Sequence, residues 1–176
     1  LFVRFYDPTA GVVRFDEHDI CGVTLDTIRG QSAPVLQDGL LFPGSIAQNI
    51  TCGDSGFTAV QIQDALRHAC AADFVRDLPQ GLSTVIGTEN SGLRPDQAFR
   101  IGLARALLRE PSLLVVQEPK DNGNETIAKE LDDALAHAAK DRTLIILPER
   151  ISTLRTAEVI CFFHEMICDF NENRYF

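Results

Sequence analysis

The clearest candidates for a chemical role are a glutamine and a glutamate, Gln117 and Glu118, which directly follow the apolar run LLVV. A carboxylate delivered at the end of a buried strand can serve as a general base that activates a water molecule. Taken alone, a glutamate at a strand end is more often a solvated turn residue. Glu118 is therefore a catalytic carboxylate, the remnant of one, or an ordinary turn residue.

The elements that would position this pair alternate between apolar strands and helical patterns. Continuous apolar runs at 112–116, 143–147 and 158–163 are typical of strands that are covered on both faces. Residues 125–140 carry apolar side chains at helical spacing, and a short helix is predicted near 151–157. This strand, helix, strand order predicts an α/β fold with a mostly parallel sheet.

The middle third of the chain is helical by its pattern. Residues 57–78 are bracketed by turn-forming residues, and residues 98–110 offer a broad apolar face that ends before a proline. We therefore expect a helical subdomain over about residues 51–110. Residues 1–50 and 111–176 are expected to form the α/β core.

Composition excludes several classes of protein. The 176 residues include 16 Lys plus Arg and 25 Asp plus Glu, and the formal net charge of -9 repels the phosphate backbone of nucleic acids. No apolar run approaches the roughly 20 residues that a membrane-spanning helix needs. The five cysteines form no CxxC pair, which argues against a zinc site or a disulfide framework. A nucleic-acid partner is therefore not expected.

Five segments, in order, carry a resemblance that covers nearly the whole chain. They are RFYDPTAG (4–11), VLQDGLLFPGSIAQNI (35–50), DLPQGLSTVIG (77–87), RIGLARALLREPSLLVVQEP (100–119) and TLIILPERISTLRTAEVICFF (143–163). Together these segments resemble the nucleotide-binding domain of ATP-binding-cassette (ABC) transporters, most closely the exporter branch. The resemblance implies a P-loop ATPase fold, ATP and Mg²⁺ as cofactors, and a location at the cytoplasmic face of the cell membrane.

The resemblance assigns roles to two residues, Gln37 and Glu118. Gln37 matches the Q-loop glutamine, whose amide ligates Mg²⁺ and orients water, although an ordinary loop glutamine is the alternative. Glu118 matches the general base that polarises the attacking water. The phosphate-binding motif GxxxxGK[ST] does not occur in these residues. By the resemblance, the chain starts just after that Walker A loop, so the N-terminal strands and Walker A are expected to be missing.

Four chemical positions depart from the family pattern. Gln117 stands where the Walker B aspartate helps hold Mg²⁺, so a neutral amide replaces a negative charge. Glu149 replaces the switch histidine that donates to the γ-phosphate, whereas an ionised glutamate only accepts. Asn124 replaces the D-loop aspartate, and the signature LSGGQ becomes LRPDQ. The signature positions are Leu93, Arg94, Pro95, Asp96 and Gln97.

The altered signature is expected to oppose nucleotide binding. Pro95 has no N–H to donate, and Asp96 is expected to add a negative charge beside phosphate oxygens. Arg94 is the exception, since a guanidinium could reach a phosphate in place of the serine hydroxyl. Just upstream, Thr88 replaces a glutamate of the exporter pattern, and Glu89 lies one place later.

These departures imply an exporter nucleotide-binding domain with a degenerate site of low activity. Its partners would be a transmembrane domain and a second nucleotide-binding domain in a head-to-tail dimer, with a heterodimer favoured. The alternative is a non-catalytic interaction or regulatory domain that keeps the cassette fold, or a decayed fragment. A soluble cassette ATPase of the chromosome-maintenance or DNA-repair type is the least favoured reading, because of the exporter-like LFPGSIAQNI and the acidic charge.

Overall fold

The computed structural model describes residues 1–86, 92–120, 123–164 and 167–172, with side chains described up to residue 161. The strands are β1 (Arg14–Phe15), β2 (His18–Asp19), β3 (Ser32–Val35), β4 (Gly44–Ser45), β5 (Val85–Ile86), β6 (Leu113–Gln117), β7 (Thr143–Leu147), β8 (Val159–His164) and β9 (Ile167–Glu172). The helices are α1 (Leu25–Gln31), α2 (Ile46–Thr51), α3 (Ala59–His68), α4 (Ala72–Asp77), α5 (Pro95–Leu107), α6 (Glu125–Ala138) and α7 (Ile151–Thr156).

A parallel sheet of three strands, ordered β3-β6-β7, lies at the centre of the described fold. Val35 of β3 lies opposite Val116, and Gln117 of β6 lies opposite Leu147. Leu114 and Val116 are fully buried, because β6 is the middle strand and helices cover it. The predicted α/β fold with a parallel sheet and the strands at 112–116 and 143–147 are thus confirmed.

The third predicted strand forms but does not join the parallel sheet. β8 pairs antiparallel with β9, the strand that directly follows it. Val159 is 52% exposed, so β8 is not covered on both faces at its start. An apolar run predicts a strand without specifying its partner, and here the neighbouring segment supplies the ladder of hydrogen bonds.

The predicted helix over residues 57–78 is two helices, α3 and α4. The chain turns between them at Cys70, whose φ is 51°, and the flanking alanines Ala69 and Ala71 are fully buried. Arg100 donates from Nη1 to the Cys70 carbonyl oxygen at 2.8 Å, and so satisfies a carbonyl that a continuous helix would have used. The break therefore has a specific partner in α5.

Helix α5 is the packing centre of the described residues. Its side chains Phe99, Ile101 and Leu103 are fully buried, and the helix packs against α2, α3 and β3. It begins at Pro95, three residues before the predicted start, because proline is favoured at the first helical position. The division of the chain into core and helical subdomain remains a prediction.

A close backbone contact fixes the loop after β3 against α5. A Cβ atom on Gly39 would lie 2.1 Å from the Ala98 carbonyl oxygen, and one on Gly102 would lie 2.8 Å from Gly39 Cα. Gly39 also has a φ of +69°, which glycine adopts without steric cost. The two glycines therefore allow the loop that carries Gln37 to lie directly on the helix.

Candidate functional site

The carboxyl edge of the parallel sheet collects four of the predicted site residues. Gln37 follows β3 by two residues, and Glu149 follows β7 by two residues. Gln117 ends β6, and the N–H of Glu118 donates to the Leu147 carbonyl oxygen at 3.1 Å. In open α/β sheets, ligand sites lie outside this edge. The structure thus places these four residues at the edge of the sheet where such sites occur.

Glu118 is fully buried, and both of its carboxylate oxygens accept hydrogen bonds. Oε2 accepts the backbone N–H groups of Glu149, at 2.8 Å, and Arg150, at 3.1 Å. Oε1 accepts Nε of Arg150 at 2.7 Å and the Thr153 hydroxyl at 2.6 Å. Four donors from one segment therefore surround a single carboxylate.

Arg150 extends this contact to helix α6. Its Nη2 lies 2.5 Å from Glu118 Oε1 and 2.8 Å from Asp132 Oδ1, while Nη1 donates to the Ala128 carbonyl oxygen at 2.9 Å. The Arg150 side chain is buried. A buried arginine needs such partners, because an unpaired charge in the interior is costly.

The geometry around Glu118 limits what its carboxylate can do. A general base must reach the proton that it removes, directly or through one water molecule. Here the lone pairs of Glu118 are directed at Arg150, Thr153 and two backbone N–H groups. Glu118 is therefore not a solvated turn residue, and in this conformation it is not presented to water. Arg150 and Thr153 were not predicted from the sequence, where they follow an apolar run without any recognised spacing.

The start of helix α5 carries the signature segment, in which Arg94, Pro95 and Asp96 are the altered residues. Pro95 occupies the first helical position, and the Gln97 side chain accepts the Arg94 backbone N–H at 3.0 Å. Leu93 is half-buried against the core. One donor at this helix end is absent and another is used within the helix, so fewer N–H groups remain for an anion.

Asp96 turns inward, which corrects the expectation that its charge faces phosphate oxygens. Arg94 donates to it through Nε at 2.9 Å and Nη2 at 3.1 Å, and Arg100 donates through Nη2 at 2.6 Å. Burial alone would raise the pKa of Asp96, but the hydrogen bonds from Arg94 and Arg100 outweigh it and hold that pKa below its ordinary value. The Asp96 carboxylate is thus ionised, and the two arginines balance its charge within the chain. The Arg94 guanidinium is therefore already engaged in an ion pair.

The comparisons with known proteins agree with the resemblance to exporters. The chain is 38% identical over 165 residues to multidrug resistance protein homolog 65 of Drosophila melanogaster, covering 94% of this chain and 13% of that protein. It is 37% identical over 176 residues to ATP-binding cassette sub-family B member 10, mitochondrial, of Mus musculus, covering 96% of this chain and 24% of that protein. The chain's homologues are ABC exporters.

A solved structure extends the agreement to the fold. It is the structure of a bacterial Atm1-family ABC exporter with ATP bound, with a TM-score of 0.80 and 31% identity. The match covers 91% of this chain and 28% of that exporter chain, so this chain spans a minor part of its exporter relatives. No protein-family model matches the chain. Among the described residues, none of the helices combines the length and apolar character needed to cross a membrane.

Two further positions of the exporter pattern have structural roles here. Asn124 caps helix α6, since its side chain accepts the N–H groups of Thr126 at 3.0 Å and Ile127 at 3.2 Å. Glu149 is exposed and contributes its backbone N–H to Glu118. Thr88, the departure predicted just upstream of the signature, and Glu89 lie outside the described part of the chain.

The described residues do not form a magnesium site by themselves. Gln37 and Gln117 are half-buried, and a neutral amide oxygen is a weaker partner for Mg²⁺ than a carboxylate. Among the described residues, no three His, Cys, Asp or Glu side chains are grouped so that they could hold a metal ion. The negative charge that Mg²⁺ requires would have to come from elsewhere, including the phosphates of a nucleotide.

A cleft of about 490 Å³ lies between the Gln37 loop, the start of α5 and helix α6. Ile127 and Leu131 form part of its apolar wall, and Asp38 and Lys120 are exposed at it. Arg150 also lines the cleft, but its guanidinium already binds the carboxylates of Glu118 and Asp132. Of these lining residues, exposed Lys120 therefore offers a positive charge to phosphate groups in this conformation, whereas Arg150 is paired within the chain.

Proposed function

We propose that the chain is the ATP-binding region of an ABC-type exporter and that its hydrolytic site is degenerate. The observation that carries the proposal is Glu118, which lies at the carboxyl edge of the sheet and whose carboxylate oxygens bind four donors of the 149–153 segment. The sequence similarity to exporters over more than 90% of the chain supports the same function.

The altered side chains each weaken a different step. Replacing a Walker B aspartate by Gln117 removes a charge pair worth on the order of 4 kcal/mol at about 4 Å and an effective dielectric near 20. Glu149 in place of the switch histidine cannot donate to a γ-phosphate. With Glu118 withheld from water as well, nucleotide is held weakly and hydrolysed slowly.

The partners follow from the same reasoning. In a head-to-tail pair of nucleotide-binding domains, each site combines one chain's strand-end residues with the other chain's signature. Here both contributions are altered, at Gln117 and Glu149 on one side and at Pro95 and Asp96 on the other. A heterodimer with a competent second domain would therefore power transport through a transmembrane domain, with both domains at the cytoplasmic face of the membrane.

Hydrolysis of Mg-ATP by the longest polypeptide that contains this chain tests the proposal. We expect phosphate release far below that of an exporter with an aspartate and a histidine at the positions of Gln117 and Glu149. Measured per folded molecule, Glu118→Gln should change this low rate by less than about twofold, because the carboxylate contributes little to it. Glu149→Gln is the matched control for the loss of a nearby negative charge. Robust hydrolysis that Glu118→Gln abolishes would overturn the proposal.

Asp96 and Glu118 are each paired with arginines of the same chain. This pairing also favours a second candidate function, a non-catalytic domain that keeps the cassette fold for interaction or regulation. Binding of a fluorescent ATP analogue separates the two functions, because the first requires nucleotide binding even where hydrolysis is slow. Saturable binding that ATP displaces supports the exporter site. Absence of binding at millimolar nucleotide supports the interaction domain.

A further inference from the structure

Two contacts of the same kind converge on helix α6. In the first, Arg100 joins Asp96, at 2.6 Å, to Glu130, at 2.7 Å. We call this contact Asp96–Arg100–Glu130 the α5 clamp. Each of its two ion pairs is short, and the arginine also holds the Cys70 carbonyl.

The second contact has the same order of charges. Arg150 joins Glu118, at 2.5 Å, to Asp132, at 2.8 Å, and we call the contact Glu118–Arg150–Asp132 the β6 clamp. In both clamps the inner acid and the arginine are almost completely buried, whereas the outer acid on α6 is 44% exposed. The two clamps therefore share one design, with a buried acid, a buried arginine and an outer acid on the same helix.

The outer acids lie on opposite flanks of the buried face of α6. Successive residues of a helix are separated by about 100°, so Glu130 and Asp132 lie on either side of Leu131. Leu131 is buried in the core, as are Ala134 and Leu135. The two clamps therefore fasten α6 from both sides of its apolar stripe, and each ties it to a different chemically altered segment.

We propose that the β6 clamp is an internal lock that keeps the Glu118 carboxylate from solvent, and that the α5 clamp holds α6 where this lock needs it. Release of Glu118 then requires the 149–153 segment to move away together with Arg150. The lock deepens the proposed function and rests on the same Glu118 contacts. It is tested by folding and amide exchange rather than by ATP hydrolysis, so its failure can be distinguished from failure of the proposed function.

The surroundings of Glu118 explain why this position needs a carboxylate. Its two oxygens accept two backbone N–H groups on one side, and Arg150 and Thr153 on the other. A glutamine has one oxygen and one NH₂ group, so one pair of these donors would face another donor. A catalytic glutamate open to water has no such requirement, since glutamine then fits the same space.

Equilibrium unfolding and amide hydrogen exchange of the chain test the lock directly. We expect Glu118→Gln to lower the ratio of folded to unfolded chain by about 100-fold or more, because it breaks a buried ion pair. The amides of Glu149 and Arg150 should also exchange faster. Asp64→Asn is the matched control, because Asp64 pairs with Arg67 on the surface. The lock is wrong if Glu118→Gln leaves stability and both amides at their original values.

A second set of variants serves if Glu118→Gln does not fold. Asp132→Ala and Glu130→Ala remove only the half-exposed outer acids, and Asp133→Ala removes an exposed acid of the same helix as the control. We expect Asp132→Ala and Glu130→Ala each to speed exchange of the Glu149 amide by about threefold, and Asp133→Ala to leave it unchanged. Unchanged exchange in Glu130→Ala would disprove the link through α6, and unchanged exchange in Asp132→Ala would disprove the lock itself.

Discussion

Arginines have different roles in the packed scaffold around α5 and at the carboxyl edge of the sheet. In the scaffold, Arg105 donates to uncharged partners, the carbonyl oxygens of Gly39, Leu40 and Asn49. Burial lowers the pKa of Arg105, since no carboxylate compensates it. At the sheet edge, Arg150 instead binds a buried carboxylate. In the scaffold the arginine donates hydrogen bonds to backbone carbonyl oxygens. At the sheet edge the arginine instead binds the Glu118 carboxylate, which is then not available to activate water.

Helix α5 itself is divided between apolar packing and ion pairs. The middle of α5 packs by shape, with Phe99 fully buried and Gly39 against the backbone of the helix. The start of α5 is held by charge, through Asp96 and its two arginines. The middle of α5 is therefore held by packing, whereas its start is held by ion pairs within the chain.

The largest effect is expected in the scaffold, from Phe99→Ala. Removing a fully buried aromatic ring should lower the free energy of unfolding by about 3–5 kcal/mol, because a cavity is added to the lost transfer energy. Val60→Ala, at a position that is mostly exposed on α3, should change it by less than about 0.5 kcal/mol. Chemical denaturation measures both. Similar losses in the two variants would argue against a packed α5 centre.

Gly39→Ala should lower the free energy of unfolding by somewhat less, about 3 kcal/mol. The new Cβ would meet the Ala98 carbonyl, and the positive φ would be strained as well. Gly11→Ala separates these two causes, because Gly11 has a φ of +77° and open space around it. That control should lose only about 1 kcal/mol. Equal losses in thermal or chemical unfolding would show that the loop does not lie against α5.

Asp96→Asn is expected to lower the free energy of unfolding by about 2 kcal/mol at pH 7, because it leaves buried Arg100 without the carboxylate of residue 96. The folded-state pKa of Asp96 is lowered, so its stabilisation is present above the unfolded pKa and is lost as pH falls through the folded value. The difference between wild type and Asp96→Asn should therefore shrink as the pH falls below about 4. A difference that is independent of pH in denaturation series would contradict the α5 clamp.

The smallest effect concerns the end of α6. Asn124→Ala removes a side chain that caps two N–H groups and should lower stability by about 1 kcal/mol. Asn124→Asp keeps an acceptor at the cap and should remain close to wild type. If both variants lost the same stability in denaturation experiments, the cap would not be the cause.

Apolar periodicity was sufficient to predict much of the fold. The strands at 112–116 and 143–147 and the helix at 125–140 were predicted because their side chains are sorted between core and solvent along the chain. Helix α2 was missed, although Ser45 and Gln48 form a capping box that marks its start. The partner of β8 was not predictable, since a run of residues does not specify which strand it pairs with.

Sequence motifs located the candidate site but not its contacts. Gln117 and Glu118 were placed at a strand end because they directly follow an apolar run, and Gln37 was identified from the resemblance to exporters. The pairing of Glu118 with Arg150 joins positions that are 32 residues apart, and nothing in their spacing indicates it. The charge of Asp96 was evident from the sequence, but the direction of its side chain was not, because that direction depends on Arg100 one helical turn later.

The exchange rate of the Arg150 Nε–H group tests the central claim most directly. This group donates to buried Glu118 at 2.7 Å, whereas the Arg67 side chain is 67% exposed and serves as the reference within the same molecule. In a ¹H–¹⁵N spectrum near neutral pH, we expect the Arg150 Nε–H signal to exchange far more slowly than that of Arg67. An Arg150 signal that exchanges as fast as the Arg67 signal would contradict the lock.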